Sequence, residues 1–379
     1  MTKSRILLVT VVFVVVAALV AGCGESKTIN LGAIQPISGQ VSAYGTQTRD
    51  AIAMAVEEIN AKGGVLGKPI KLIVEDDEAS PDKTKNAFMK LVAKDKVIGI
   101  IGALTSKCSL AITKDAQDKK IVLISPSSTN DTVTDAGDYI FRACYNDSFQ
   151  GQVVAQFSFD TLKAKKAAIL YDITNDYSKG LTTNFSDKFK SLGGEVVASE
   201  SYSTNDKDFN AQLTKIKAAK PDVLFIPDYY STVSLIAKQV RAQGLTIPMV
   251  GADGWDEITN NAGDEALNSY YSNHYSPDAN DPEVTAFVKK YQEKYKIVPN
   301  ALAALGYDAT YILAEAIERA GSTDPEKIKA AMMETDRKFV TGNIKFNEKR
   351  NPVKSAVMLR IVKGADGKLA TEYAGTVNP

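Results

Sequence analysis

Between Ile121 and Thr129 an apolar run, IVLI, gives way to four hydroxyls in five residues: Ser125, Ser127, Ser128 and Thr129. Hydroxyls at the end of a strand can attack a substrate if a base stands beside them, or hold a ligand by hydrogen bonds. The chain has one histidine, His274 in SNHYSP, and no G-x-S-x-G turn to present a nucleophile. A Ser–His pair requires His274 to fold back onto Ser106 or onto 127–129, and a lone histidine near a crossing segment reads more simply as structural. Phosphate loops of the forms G-x-x-x-x-G-K-[ST] and G-x-G-x-x-G are absent. GGVLGKP at 63–69 follows a helix where a phosphate loop would follow a strand, and reads as helix termination. The acids Asp76-Asp77-Glu78 and those of 278–283 lack the spacing of a calcium loop. No C-x-x-C occurs and no histidine neighbours a cysteine, so neither a metal nor a cofactor is expected. The sequence reads as a binder, not an enzyme.

Other polar residues recur at strand ends, where open parallel sheets bind ligands. Leu104, Thr105 and Ser106 follow one strand, Asp176-Tyr177 opens a helix after another, and Asp228-Tyr229-Tyr230 and Asp253-Gly254-Trp255 follow two more. Tyr44 stands beyond the first. Ser106 begins a helix, whose free N–H groups and partial positive charge suit a carboxylate; it reads equally as an ordinary cap. Asp253 can accept bonds from an ammonium, or belong to an Asp-Gly turn. Tyr44, Tyr177 and Tyr229 can wall a pocket or pack in a core.

The elements that position these residues alternate regularly. Strands are expected at Ile29–Ile34, Ile70–Val74, Val97–Leu104 and Ile121–Ile124, then at Ala167–Tyr171, Glu195–Tyr202, Val223–Ile226 and Pro248–Gly251, with helices between them. The two halves share a helix–Gly-Gly–strand–helix–strand order, INAKGGVLGKPIKLIVEDD in one and FKSLGGEVVASESY in the other. Strands alternating with helices imply parallel sheets covered on both faces, here in two similar lobes. After 276 the chain is helical, and it ends in strand-like pieces at Gly342–Phe346 and Ala356–Val362. At 44% hydrophobic and 24% charged, the chain can bury two cores. Forty-five basic and 45 acidic residues leave no basic stripe for nucleic acid.

The first 22 residues are a leader. Lys3 and Arg5 precede an apolar run from Ile6 to Val20, too short for a spanning helix, and Ala21-Gly22-Cys23 follows. The spelling VAGC resembles a bacterial lipobox, which implies cleavage before Cys23, lipid on its sulfur and an extracytoplasmic, membrane-tethered protein. Cys108 and Cys144 then remain, an even number in an oxidising compartment. They are either a disulfide or two buried thiols.

Read in order, GAIQPISGQVSAYG, AVEEINAKGGVLG, LIVEDDEASP, IIGALTSKCSLA, LISPSSTN, FRACYNDSFQG and DGWDE resemble the type I periplasmic binding proteins, in particular the Leu/Ile/Val-binding type that serves ABC importers. The resemblance runs from about 28 to 377. It implies an α/β fold of two Rossmann-like lobes, each a mostly parallel sheet flanked by helices, joined by three hinge crossings near 142–147, 272–277 and 346–350. The expected organisation is leader 1–22, tether 23–27, first lobe 28–145 plus 275–346, and second lobe 146–274 plus 347–379. By motif, the resemblance gives Leu104, Thr105 and Ser106 to the ligand carboxylate. It gives Ser127, Ser128 and Thr129 to carboxylate and ammonium, Tyr177 and Tyr229 to the second lobe's wall, and Asp253 to the ammonium. Tyr44 and Trp255 line the side-chain end. Asp253 replaces the glutamate of some members, and Ser127 and Ser128 replace smaller residues. The implied function is a monomeric receptor that closes on a zwitterionic, aliphatic amino acid and delivers it to an ABC permease. The alternatives are a sensing module of the same fold, or a binder of amides or aromatic acids.

Overall fold

The computed structural model describes residues 27–378. The leader, the lipobox and Cys23 lie outside them. Five short parallel strands form the first sheet: β1 (Ile29–Gln35), β2 (Ile70–Asp76), β3 (Gly99–Ile101), β4 (Val122–Ser125) and β5 (Ile140–Arg142), in the order β2-β1-β3-β4-β5. The second sheet has seven strands: β6 (Lys166–Asp172), β7 (Glu195–Tyr202), β8 (Val223–Phe225), β9 (Met249–Gly251), β10 (Ser269–Asn273), β13 (Ala356–Lys363) and β14 (Leu369–Val377). Its order is β14-β13-β10-β9-β8-β6-β7, with the β10–β13 and β13–β14 pairs antiparallel and the rest parallel. A hairpin, β11 (Asp336–Phe339) with β12 (Gly342–Lys345), completes the set. The inner strands read as unbroken apolar runs because helices cover both faces: Ile100, Ile101, Leu123, Ile124, Leu224 and Phe225 are fully buried.

The chain passes between the two sheets three times among the described residues. It leaves β5 for the helix Asp147–Asp160, leaves β10 for the helix Pro282–Tyr295, which packs on the helix Ser42–Ala61, and then the helix Ala301–Ala320 on the first sheet, and leaves β12 for β13. The passages place the carboxyl ends of the inner strands opposite one another.

Several elements differ from the sequence expectation. The strand expected over Val97–Leu104 is paired only at Gly99–Ile101. At Gly102 the backbone turns into a positive φ of 146° and presses on Ile34, where a Cβ would stand 2.6 Å from the Ile34 carbonyl. Beyond this turn Leu104 and Thr105 face the cleft, while Ala103 stays in the core. The helix Asp147–Asp160 and strand β14 escape periodicity: the first is buried on several faces at once, the second on hardly any.

Cys108 and Cys144 are both free and buried, which overturns the bridged reading. They look into different surroundings. Cys108 faces Asp77, Thr84 and Thr105, whereas Cys144, on the first passage, lies near Arg142, Asp147 and Lys354. Burial pushes both thiols up to about 12, so they pack as small hydrophobes.

Candidate functional site

A small cavity of about 20 Å³ lies between the sheets, lined by Tyr44, Leu104, Thr105, Ser106, Ser127 and Leu302 from the first lobe and Tyr177, Tyr229, Asp253 and Gly254 from the second. Eight residues singled out by sequence therefore meet there. Ser128, Thr129 and Trp255 do not line it.

On the first lobe, Thr105 is the cap position of the helix Ser106–Asp118 and makes no side-chain cap bond. The first N–H groups of that helix have no intrahelical acceptor and point their dipole toward the cleft. The Ser106 hydroxyl accepts from the Asn130 N–H at 3.2 Å. The neighbouring serines are turned onto the backbone of the Gly102 turn. Ser127 donates to the Leu104 carbonyl (2.9 Å), Ser125 to the Ala103 carbonyl (2.7 Å), and Ser128 to both carbonyls (3.2 and 3.1 Å). ISPSSTND thus works mainly as a brace. Thr129 is the exception: its Oγ1 is buried without a hydrogen-bond partner. It faces Asp147, a fully buried acid that sequence reasoning missed and whose two oxygens also lack partners. Burial holds the Asp147 carboxyl well above the usual carboxylate range.

The second lobe carries the charge. Asp253, 4% exposed, follows β9 and its carboxylate is held at three points. Tyr177 Oη and Gln150 Nε2 donate to Oδ1 at 2.8 and 2.9 Å, and His274 Nε2 lies 3.0 Å from Oδ2. Tyr177 Oη also accepts from the Gly254 N–H at 2.8 Å, which ties the Asp253-Gly254 turn to the helix Asp176–Ser191. Tyr177 and Tyr229 stack at 5.1 Å with 12° between their planes, forming a flat wall. Gln150 sits on the helix that periodicity missed. His274 gave a type signal but no positional one. Trp255 is fully buried in the second lobe's core, its Nε1 donating to the Ile226 carbonyl at 2.8 Å. An indole that large, next in chain to the turn, fills the space beside Gly251 and not the cleft.

Bonds across the cleft hold the lobes together. Tyr44 Oη donates to the Gly254 carbonyl (2.5 Å), and Gln40 Nε2 to Asn205 Oδ1 (3.0 Å). Glu257 Oε1 accepts from Gln47 Nε2 (2.6 Å) and Asn300 Nδ2 (2.9 Å). Asp256 Oδ2 accepts from the Ala301 N–H at 2.6 Å, at the start of the helix Ala301–Ala320. Burial and the adjacent Glu257 push Asp256 up to about 7, and burial pushes Asp228 up to about 7.

Two lobes closed over a small cavity, with a helix N-terminus on one side and a fixed carboxylate on the other, are the arrangement of a receptor that encloses a solute. The chain belongs to the periplasmic binding protein family, whose model matches residues 28–368. Its fold is that of the type I members. It is 31% identical over 362 residues to the Leu/Ile/Val-binding protein homolog 1 of Brucella abortus (strain 2308), covering 94% of this chain and 96% of that one. It superposes on the leucine binding protein LivK of Thermotoga maritima with a TM-score of 0.87 and 35% identity, covering 93% and 99%. For the branched-chain amino acid transporter substrate binding protein LivJ of Streptococcus pneumoniae, in complex with isoleucine, the TM-score is 0.85 and the identity 34%, covering 93% and 100%.

Proposed function

We propose that this protein captures a zwitterionic amino acid, of the aliphatic branched-chain class, and hands it to an ABC permease. The observation that carries the reading is the Asp253 carboxylate, fixed by three side chains at one wall of a cavity whose other wall is the N-terminus of Ser106–Asp118. An amino acid laid between them has its ammonium at Asp253 and its carboxylate at the N–H groups around Ser106. Each charge finds a partner on closure, which avoids the several kcal/mol that an unpaired buried ion costs. Leu104, Leu302, Tyr44 and Tyr229 supply apolar surface for a side chain. The closed lobes leave only about 20 Å³ between them, well below the roughly 300–1,000 Å³ usual for small-molecule sites, so an amino acid enters when the lobes part. No bond-breaking role is assigned to any residue.

The hinge lies in the three passages, with lobes of 28–145 plus 275–346 and 146–274 plus 347–379. The protein acts as a monomer outside the cytoplasm, tethered through lipid on Cys23. Titration calorimetry on residues 24–379, refolded to remove carried-over ligand, tests the ligand with leucine, isoleucine, valine, phenylalanine, glutamate, benzoate and a short amide. Micromolar or tighter binding of the aliphatic amino acids, weakened roughly a hundredfold when the ammonium is absent, is expected; heat from benzoate alone would defeat the reading. Cys23→Ser should leave an unprocessed precursor, and mature-sized, membrane-bound Cys23→Ser protein would remove the lipid anchor.

A further inference from the structure

His274 lies where all three passages come together. Its ring stacks on Tyr145 of the first passage, with centroids 3.8 Å apart and 25° between planes. It begins the second passage directly after β10, and the buried Lys354 of the third is near enough to act on its charge. Its backbone N–H donates to Asn273 Oδ1 at 2.8 Å, which fixes where the ring starts. The ring itself makes a single hydrogen bond, Nε2 to Asp253 Oδ2 at 3.0 Å; Nδ1 is buried without a partner. A proton on Nδ1 would strand a donor in the core and aim the Nε2 lone pair at a carboxylate. The hydrogen therefore sits on Nε2.

We propose that His274 is a positioning residue for the ammonium site: from the hinge, its neutral imidazole aims and orders the Asp253 carboxylate that receives the ligand's ammonium. The proposal rests on the reading of Asp253 given above. Asp253, Gln150, Tyr177 and His274 all belong to the second lobe and its edge, so the array exists before the first lobe closes. Tyr177 and Gln150 hold one carboxylate oxygen, and His274 alone holds the other. Without it the carboxylate is held at one oxygen only, and the ammonium meets a less ordered partner. Protonation would be harmful in a different way, placing a second cation against the carboxylate that the ammonium needs. The charged and titratable groups facing the ring are Asp253, which favours its protonation, and Lys354, which opposes it, with the Tyr145 phenol stacked beside it. Cys144 and Asp147 approach behind Tyr145. Burial outweighs Asp253 and holds the imidazole below its ordinary value, so it stays neutral at neutral pH.

The test compares the wild type with His274→Gln and His274→Phe. Leucine and its des-amino analogue, 4-methylpentanoate, are titrated between pH 5 and 8. Gln keeps a donor and cannot titrate; Phe keeps the stacking and has no donor. His274→Phe should bind leucine roughly tenfold or more weakly, with 4-methylpentanoate unaffected. The wild type should lose leucine affinity as the pH falls below about 6, and His274→Gln should stay within about threefold of wild type at pH 7.5 and lack that acid fall. Equal losses for both ligands, or the same acid limb in His274→Gln, would overturn the proposal. Because the chain has a single histidine, 15N-histidine spectra of the untagged protein report it alone and need no ligand. They should show the Nε2–H tautomer and a further fall of its pKa in Asp253→Asn; a histidine indifferent to Asp253→Asn would also overturn the proposal. A wild type that binds leucine no better than 4-methylpentanoate overturns the ammonium reading instead, and leaves the spectra to judge the His274–Asp253 contact.

Discussion

The two walls of the cleft are built on the same plan and chemically opposed. Both stand at the carboxyl ends of parallel strands, as ligand sites in open α/β sheets do. The first lobe's wall holds hydroxyls and backbone dipoles: Thr105 and Ser106 at a helix start, with Ser127 and Ser128 bonded to the carbonyls of 103 and 104. The second lobe's wall holds a carboxylate, two stacked phenols, an amide and an imidazole. A wall of dipoles can meet an anion without a buried countercharge. A wall with a fixed carboxylate needs a cation to complete it. The difference suits the proposed solute, one molecule with charges of both signs, and it predicts unequal responses to mutation on the two sides.

The sharpest way to break the contrast is Asp253→Asn. It removes the only charge on the second wall that is both at the cavity and held by three donors, while keeping the shape. Amino-acid affinity should fall by about 2–4 kcal/mol, the scale for unpairing a buried charge. Calorimetry at neutral pH measures it, and an unchanged affinity would take Asp253 out of the site.

The charged wall should also show itself in the stability of the ligand-free protein. Asp228 and Asp256 titrate near 7 when folded and near ~3.9 when unfolded. Between those values the folded state holds protons that the unfolded chain has lost, so unfolding free energy falls as pH rises from about 4 to about 7 and levels off above. Asp147, also raised by burial, acts in the same direction. His274, lowered by burial, acts oppositely, and its contribution is lost as pH falls below about 6.5. Denaturant titrations should find the protein more stable at pH 5.5 than at 7.5, by up to about 2 kcal/mol for each raised group. Asp256→Asn should remove its share of that slope; a slope unchanged by the substitution would mean that Asp256 is ionised in the folded protein.

Contact between the walls offers a smaller lever. Tyr44→Phe deletes the hydroxyl that reaches the Gly254 carbonyl across the cleft and changes nothing on the lobe it comes from. Closure should weaken by about 1 kcal/mol, the net worth of one such bond. Ligand affinity should drop several-fold, and small-angle scattering should show a more open ligand-free form. An unaltered scattering profile and affinity would mean that the bond does not contribute to closure.

Much of this was legible in the sequence where a residue type coincided with a periodic signal. The strands expected to end at 104, 124, 171, 226 and 251 read as apolar runs, so the polar residues after them stood out, and six of these, Thr105, Ser106, Ser127, Tyr177, Tyr229 and Asp253, meet at the cavity with Leu104 and Tyr44. What escaped was of two kinds. The helix Asp147–Asp160 has no single apolar face, so Asp147 and Gln150, one facing Thr129 and the other holding Asp253, had no element to sit on. His274 was visible as the chain's only histidine, but its partner is 21 residues away and is reached only because β9 and β10 pair side by side. Trp255 failed in the opposite way: its place in the chain beside Asp253 says nothing about direction, and a large indole packs into the core when one is within reach. Spacing along the chain predicts which strand end a residue occupies, and pairing between strands decides what it faces.

The serines make the finest test. Ser127 lines the cavity, yet its hydroxyl donates to the Leu104 carbonyl, so its proton is already committed to the fold. If the first wall acts through the helix dipole and backbone N–H groups, Ser127→Ala should change amino-acid affinity by less than about 1 kcal/mol, the scale of one neutral hydrogen bond. The larger effect should appear in stability, because the buried Leu104 carbonyl would lose one of its two donors and keep only Ser128. Calorimetry and denaturant unfolding on the same variant separate the two quantities. A loss of affinity approaching that of Asp253→Asn, with stability intact, would mean that Ser127 turns toward the ligand when the site fills. The first wall would then act through its side chains as the second does, and the contrast between the walls would be one of charge alone.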